Sequence, residues 1–148
     1  TNVSEGRGTY QPFKKVGAPW YHNDITKDMN GMKLKGVLFK ETKFKPKSII
    51  GMSENPKYLD EKCIGMEIII TDKLSYNSVE TGVKFLYITQ IMKAWEFSVK
   101  PKSMNKLWGN NNLTRLLKGQ NQLKKVLNEI KNDEALFREQ RKPYLLYD

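Results

Sequence analysis

The chain has 148 residues, of which 39% are hydrophobic, and its formal net charge at pH 7 is +10. This length suits one domain, and because no run of about 18 apolar residues occurs, we expect no transmembrane segment. The single cysteine, Cys63, excludes an internal disulfide. A lone cysteine favours a reducing compartment, so we expect an intracellular protein of the cytoplasm or of an organelle matrix or stroma.

The positive charge is concentrated at the two ends of the chain. Residues 1–57 and residues 100–148 each carry a net charge of +6, whereas residues 58–99 carry −2. Such an excess of charge works against compactness and suggests a negative partner: nucleic acid, an anionic membrane surface or an acidic protein. A codon bias toward lysine would raise the total, but it would not by itself leave the middle segment acidic.

The first 30 residues have no regular hydrophobic period. Gly, Pro and aromatic residues alternate in the stretch SEGRGTYQPFKKVGAPW, and these residue types interrupt helices and strands. We therefore interpret residues 1–30 as an extended basic arm. An arm of this kind is ordered only when something holds it, and either a partner or packing across the domain would do so.

A β-rich core is predicted for residues 31–99. Apolar, β-branched and aromatic residues recur there between turn signals, with VKFLYITQIM as the strongest strand pattern. Sequential strands favour antiparallel pairing, in a small sheet or barrel. The five predicted strands cover residues 33–40, 47–53, 63–71, 83–92 and 95–99.

A helical region is predicted for residues 100–148, packed on the core within a single domain. The stretch NNNLTRLLKG offers Asn111 or Asn112 as an N-cap and Gly119 as a stop. From residue 120 to 140 the apolar residues form one stripe of an amphipathic helix, which Pro143 ends. The last five residues, YLLYD, form a partly apolar tail. The predicted fold class is therefore α+β, a small antiparallel sheet or barrel of about five strands followed by this region.

Little in the sequence points to catalysis. The only histidine is His22, and a metal site needs three or four converging ligands. No phosphate-binding glycine loop and no nucleophile elbow is present. The acidic pairs Asp24 with Asp28 and Asp60 with Glu61 lie in polar, turn-like stretches. We therefore expect a protein that is not an enzyme and that has neither a cofactor nor a metal.

Two lysine-rich strips are candidates for contact with phosphates. In KFKPKSII, an extended chain places Lys43, Lys45 and Lys47 on one face, about 6.6 Å apart, with Phe44 facing the core. The alternative is an edge strand protected by lysines against aggregation. Lysine and arginine contacts to phosphates give affinity that does not depend on base sequence, and exposed aromatic rings stack on bases. The complete predicted nucleic-acid site is Lys33, Lys35, Lys43, Lys45, Lys47, Lys100, Lys102, Lys106, Arg115, Lys118, Trp20 and Tyr21.

Two segments, WYHNDITKDMNGMKLKG and VKFLYITQ, resemble the small SH3-like barrel of the ferredoxin–thioredoxin reductase variable chain. The resemblance covers about half of the chain, with a long insertion between the segments. It contains no diagnostic run, so no functional residue is carried over. What it implies is a small barrel that docks within a redox complex or another multi-subunit complex.

These features together predict a non-catalytic, basic nucleic-acid-binding protein. RNA within a ribosome-like ribonucleoprotein is the favoured partner, along with neighbouring protein subunits. The mechanism would be neutralisation of phosphates by the two basic flanks. The alternative is a structural or docking subunit of a large protein complex, such as an organellar redox complex.

Overall fold

The computed structural model describes residues 1–146 and divides the chain into two compact units. The first unit is Thr1–Lys100 and the second begins at Pro101. Within the described residues, no helix is long and apolar enough to cross a membrane. The first unit contains, in chain order, β1 (Lys15–Ala18), α1 (Asn23–Gly31), β2 (Val37–Phe44), β3 (Cys63–Ile70) and α2 (Ser78–Met92). The second contains α3 (Pro101–Trp108), α4 (Asn112–Leu117), α5 (Leu123–Arg141) and a short 3-10 helix (Lys142–Tyr144).

The first unit is built on a three-stranded antiparallel sheet in the order β1-β3-β2. β3 is the central strand, and its run of β-branched residues suits a position with a neighbour on each side. In the register, Gly17 of β1 faces Gly65 of β3. A Cβ atom at Gly65 would lie 2.0 Å from the Val16 carbonyl oxygen, so only glycine permits the two strands to approach this closely.

The core of the first unit forms where α1 packs on one face of the sheet. Ile25 and Met29 are fully buried. They are four residues apart on α1 and therefore lie on the same face of the helix. They pack with residues from all three strands or their flanks, namely Ala18, Tyr21, Val37, Phe39 and Met66. The predicted α+β class is confirmed, although the sheet is open and has three strands rather than five.

The segment predicted most strongly as a strand is a helix. Residues 83–92 belong to α2, which begins with the side chain of Asn77 accepting a hydrogen bond from the Glu80 N–H at 2.9 Å. The segment contains apolar residues on nearly every side, so neither a period of two nor one of 3.6 is distinct in its sequence. The capping sequence, an Asn followed three residues later by Glu, is the local signal for a helix start.

Three other strand predictions are also corrected. The strand predicted at 33–40 begins four residues later, because Lys33 and Gly36 adopt left-handed φ angles of 49° and 71° and form a turn. The segment 47–53 is a tight turn closed by one bridge, Ile49 to Ser53, around Gly51. Residues 95–99 form no strand. A five-stranded SH3-like barrel is therefore absent from the described residues.

The expected extended arm is folded into the first unit. Residues 1–30 contain β1 and α1, and Ser4 pairs with Gly17 beside the sheet. Asn2 is also anchored, since its side chain donates to the Glu96 carbonyl oxygen at 2.7 Å and accepts from the Ser98 N–H at 2.8 Å. Packing within the first unit therefore holds this segment in place.

The second unit joins three helices through polar contacts and a small apolar core. The Thr114 hydroxyl donates to Asn105 Oδ1 at 2.7 Å, and Asn112 Nδ2 donates to Glu129 Oε2 at the same distance. α4 and α5 agree closely with the helices predicted from sequence. The expected packing of this region on the sheet stays a prediction, and Tyr147 and Asp148 of the predicted tail lie outside the described residues. The buried side chains of the second unit are Leu113, Thr114, Leu116, Leu117 and Val126.

Candidate functional site

A surface groove of about 560 Å³ lies between the loop before β1 and the segment after β2. We name it the Tyr10 groove. Tyr10 is 93% exposed, although large aromatic side chains are generally well buried in folded proteins. The residues lining the groove are Gly8, Thr9, Tyr10, Gln11, Lys15, Phe44, Lys45, Lys47, Ser48 and Ile49.

Glycines and hydrogen bonds fix the loop that carries Tyr10. Gly6 and Gly8 both have φ angles of 77°, a conformation that residues with a Cβ atom rarely adopt. Thr9 closes the turn, because its N–H and its hydroxyl both donate to the Gly6 carbonyl oxygen, at 3.2 and 2.7 Å. The Thr9 hydroxyl also accepts from the Gln11 N–H at 3.1 Å. Tyr10 is therefore presented by a defined turn between two hydrogen-bonded residues.

The opposite wall is held against this loop by main-chain contacts. The Lys47 N–H donates to the Gly8 carbonyl oxygen at 2.8 Å. A Cβ atom at Gly8 would lie 2.6 Å from the Lys47 carbonyl oxygen, so the two backbones touch. Pro46 is fully buried, and its carbonyl oxygen accepts from the Asp60 N–H at 2.9 Å. The two walls are thus joined to each other and to the following loop.

The groove has an excess of positive charge. The Nζ atoms of Lys45 and Lys47 both contact Oδ1 of Asp60, the former at 3.7 Å. The hydrogen bond from Lys47 holds the pKa of the Asp60 carboxyl below its ordinary value, and the charges of Lys47 and Lys45 act in the same direction. Lys15 adds a third ammonium group to the lining. Asp60 therefore offsets two of the three cations in the lining, while Lys15 lies beside Glu67, its partner in the sheet register.

A second, smaller cavity of about 260 Å³ lies between the turn after α1 and the start of α2. Lys33 and Lys35 line it, opposite Glu80 and Lys84. The carboxylate of Glu80 forms an ion pair with Lys84 at 2.6 Å. Among the residues that the structure describes, Glu80 is the one acidic residue in the lining of this cavity, so no second carboxyl group is there to share a proton with it.

The two aromatic residues predicted to stack on bases are structural. Tyr21 is fully buried, its hydroxyl lies 3.4 Å from that of Thr26, and burial raises the pKa of Tyr21 to about 12. Trp20 donates from Nε1 to the Tyr58 hydroxyl at 3.1 Å and packs against Phe97, with ring centroids 6.4 Å apart. These contacts support the core of the first unit.

The predicted basic residues are distributed over several places. Lys45 and Lys47 line the Tyr10 groove, whereas Lys33 and Lys35 line the second cavity. Lys43 is exposed on β2, next to the buried Phe44. Of the others, Lys100 ends the first unit, whereas Lys102 and Lys106 lie on α3, Arg115 on α4 and Lys118 just after it.

Sequence reasoning missed the residues on the loop side of the groove. In the sequence, Tyr10, Gln11 and Lys15 belong to the segment predicted as an extended arm, and Asp60 lies in a polar, turn-like stretch that does not indicate its contacts with Lys45 and Lys47. The available signal was the pair of glycines in EGRGTYQPF, whose spacing suits a tight turn that presents the residues after it.

The structure brings no metal ligands together in the part of the chain that it describes. Among residues 1–146, no group of three or more His, Cys, Asp or Glu side chains could hold a metal ion. His22 is exposed at the start of α1. Cys63 is fully buried, and this burial raises the pKa of its thiol to about 11. Cys63 is therefore a core residue, not a ligand or a nucleophile.

The fold is shared with solved bacterial structures. A crystal structure of a DUF1343 family protein from Bacteroides fragilis NCTC 9343 matches 99% of this chain with a TM-score of 0.83, at 19% sequence identity. A second DUF1343 family protein from the same organism matches the whole chain with a TM-score of 0.64, at 26% identity. The chain covers 38% and 37% of those two structures.

The sequence also matches a described family over nearly its full length. The model for the C-terminal domain of the exo-β-N-acetylmuramidase NamZ matches residues 1–147, and the chain therefore belongs to this family. A curated relative, the peptidoglycan β-N-acetylmuramidase NamZ of Bacillus subtilis (strain 168), is 28% identical over 99% of this chain. The chain spans 34% of the length of that relative.

These findings overturn the functional predictions made from the sequence. The prediction of an RNA-binding component of a ribonucleoprotein is wrong, because the matching family is the C-terminal domain of a β-N-acetylmuramidase. The predicted partners, RNA and neighbouring protein subunits, and the alternative of a docking subunit are corrected for the same reason. The expectation that the protein is not an enzyme is contradicted as well, because the family is named for a β-N-acetylmuramidase; the family model itself describes the C-terminal domain of that enzyme. The expected intracellular location stays a prediction.

Proposed function

We propose that this chain is the C-terminal domain of a β-N-acetylmuramidase that acts on peptidoglycan, and that it contributes contacts to the glycan. The observation that carries this proposal is the family match over residues 1–147. The relative from Bacillus subtilis, 28% identical over 99% of the chain, supports it. The same fold in two DUF1343 family proteins is consistent with a shared domain.

The two cavities favour a role in binding rather than in bond cleavage. Most glycosidases use two carboxyl groups, about 5 to 9.5 Å apart, on either side of the scissile bond. The lining of the Tyr10 groove contains no carboxylate, and that of the second cavity contains only Glu80, which is paired with Lys84. Neither cavity has the pair of carboxyl groups that glycoside hydrolysis requires.

The charge of the chain suits an acidic glycan. N-acetylmuramic acid differs from N-acetylglucosamine by a lactyl group, which ends in a carboxylate. A chain with a net charge of +10 attracts a glycan that carries these carboxylates, or those of stem peptides attached through the lactyl group, and raises its concentration near the surface. The lysines that sequence reasoning assigned to phosphates would then face carboxylates instead.

Hydrolysis of a chromogenic muramide tests the proposal. The protein that carries this chain, in its natural length, is incubated with para-nitrophenyl β-N-acetylmuramide, and release of para-nitrophenol is followed by absorbance. The matched control substrate is para-nitrophenyl β-N-acetylglucosaminide, which lacks only the lactyl group. We expect release from the muramide and at least about a hundredfold less from the control, which corresponds to about 2.7 kcal/mol of discrimination.

Two results would contradict the proposal. One is a folded protein, verified by circular dichroism, that releases no para-nitrophenol from the muramide. The other is equal rates on the two substrates, which would indicate a glycosidase without preference for muramic acid.

A further inference from the structure

We infer that the Tyr10 groove is a subsite for a saccharide unit that carries a carboxylate. This inference rests on the proposed function and adds to it the place and chemistry of one glycan contact. Its volume of about 560 Å³ falls within the range of about 300 to 1,000 Å³ that small-molecule sites occupy. Three features of the groove carry the inference: an exposed aromatic ring, unbalanced positive charge and a rigid backbone.

The first feature is the ring of Tyr10. It is 93% exposed, yet the turn on which it sits is fixed by the hydrogen bonds of Thr9. The face of an aromatic ring carries partial negative charge, and it attracts the weakly positive C–H groups on one face of a pyranose. A tyrosine also loses little side-chain entropy when it orders on a ligand. Tyr10 is therefore suited to stack on a sugar ring.

The second feature is the cluster of ammonium groups next to that ring. Lys45 and Lys47 both contact one oxygen of Asp60, so a single carboxylate is shared between two cations. Lys15 lines the same groove and adds further positive charge. A ligand carboxylate would balance this excess and form charge-assisted hydrogen bonds, which are about twice as strong as neutral ones. A neutral saccharide would leave the charge unbalanced.

The third feature is that the groove needs no rearrangement to bind. The Lys47 N–H is bonded to the Gly8 carbonyl oxygen, and the Asp60 N–H to that of Pro46, so the walls are joined by main-chain contacts. Binding of a ligand therefore costs the protein little conformational entropy. Polar groups of Gln11 and Ser48 in the lining are available for the hydroxyl and acetamido groups of a sugar.

Two carboxylates in peptidoglycan have this chemistry. One is the lactyl carboxylate of muramic acid without a peptide, and the other belongs to the stem peptide, which is attached through the lactyl group. The lactyl carboxylate lies a few bonds from the pyranose ring, whereas the carboxylates of a stem peptide lie further along a flexible chain, so the two sources differ in their distance from the ring. The shared chemistry is a saccharide with an attached carboxylate, and two ligands separate the sources.

Binding is measured by calorimetry with the natural-length protein and three ligands. The first is the disaccharide GlcNAc–MurNAc, which an exo-acting muramidase does not cleave because its muramic acid is at the reducing end. The second is the same disaccharide with its stem peptide. The third is chitobiose, which has the same two pyranose rings and no carboxylate.

Substitutions in the groove assign the binding to it. The variants are Tyr10→Ala and the double variant Lys45→Gln with Lys47→Gln, and the matched control is Lys40→Gln, an exposed lysine of β2 outside the groove lining. We expect native protein to bind GlcNAc–MurNAc at least about tenfold more tightly than chitobiose. Tyr10→Ala should weaken both by about tenfold, and the double variant should remove the preference between them. Lys40→Gln should bind as the native protein does.

The binding results identify which carboxylate is recognised and whether the Tyr10 groove binds it. Tighter binding of the disaccharide without peptide identifies the lactyl carboxylate, and tighter binding of the peptide form identifies the stem. A double variant that keeps the preference, or a Tyr10→Ala variant that binds normally, overturns the subsite. Thermal melting verifies that the variants are folded, and Tyr10→Phe, which keeps the ring, should restore binding if stacking is the cause.

The subsite and the proposed function fail in different ways. If the native protein hydrolyses the chromogenic muramide while the groove variants bind and cleave normally, the subsite is wrong and the proposed function stands. If no muramide is cleaved but the groove variants lose binding of GlcNAc–MurNAc, the subsite stands and the proposed function is wrong.

Discussion

Asn2 and Ser98 pair with each other although 96 residues separate them. The Ser98 N–H donates to Asn2 Oδ1 at 2.8 Å, and the Asn2 N–H donates to the Ser98 carbonyl oxygen at 3.1 Å. The Asn2 side chain also donates to the Glu96 carbonyl oxygen at 2.7 Å. One side chain thus joins the start of the first unit to its end.

Substitution of Asn2 tests this connection. Asn2→Ala removes two side-chain hydrogen bonds, and we expect it to lower the free energy of unfolding by about 1 to 2 kcal/mol. Urea denaturation measures the change, with Asn55→Ala, at an exposed turn position, as the control. Equal stability of the two variants would contradict a stabilising role for Asn2.

Asn30 completes the hydrogen bonding of the sheet edge. Its side chain donates to the Phe39 carbonyl oxygen at 2.7 Å and accepts from the Phe39 N–H at 3.0 Å, as a neighbouring strand would. Asn30→Ala should expose the Phe39 N–H to water and reduce stability by about 1 to 3 kcal/mol, since two backbone groups lose their partners. Hydrogen exchange is the direct measurement. Faster exchange should be confined to β2 around Phe39, and unchanged protection there would rule out this edge contact.

Gly65 is expected to tolerate no side chain. A Cβ atom there would meet the Val16 carbonyl oxygen at 2.0 Å and the Gly17 Cα atom at 2.8 Å, so Gly65→Ala must push β1 away from β3. We expect a loss of about 1 to 3 kcal/mol in the free energy of unfolding. Gly82 is the matched control because it lies within α2 with open space at its Cβ position.

Gly82→Ala should be neutral or stabilising by up to about 1 kcal/mol, because alanine favours a helix interior. Thermal or chemical denaturation compares the two variants directly. Similar effects of both substitutions would contradict the close contact between β1 and β3.

The raised pKa of Tyr21 predicts how the stability of the protein changes at alkaline pH. Burial raises its pKa to about 12, while in the unfolded chain it titrates near the ordinary value of about 10. The unfolded chain therefore loses this proton first, so the stability that Tyr21 contributes is complete below about pH 10 and is lost as the pH rises toward 12.

The comparison is between the native protein and Tyr21→Phe, which has no group to titrate. From pH 9 to pH 11 the native protein should lose about 1 kcal/mol more stability than the variant does. Parallel curves would mean that Tyr21 titrates normally and is therefore not buried.

Helices and strands could be predicted from the sequence where the pattern of apolar residues is distinct. β3 and α5 lie close to the predicted segments because each has a distinct pattern of apolar residues. The strand prediction for residues 83–92 is wrong because apolar residues lie on nearly every side of this helix, so its sequence has no distinct period; the helix packs on α1. The cap formed by Asn77 and Glu80 was the local information that the strand prediction overlooked.

The candidate site was less predictable because contacts distant in sequence form it. Lys45 and Lys47 were recognised as a strip, but their partner Asp60 and the opposite wall at Tyr10 come from other segments. Only the folded chain places Gly8 against Lys47. Charge alone suggested an anion and could not distinguish a phosphate from a carboxylate.

The contact between Gly8 and Lys47 has a consequence for redesign of the chain. Because backbone atoms form this contact, the side chains of Tyr10, Lys45 and Lys47 are not needed to hold the walls together. Libraries that vary these three positions should therefore retain a folded scaffold, so the chemistry of the groove can be changed without altering the backbone that forms it.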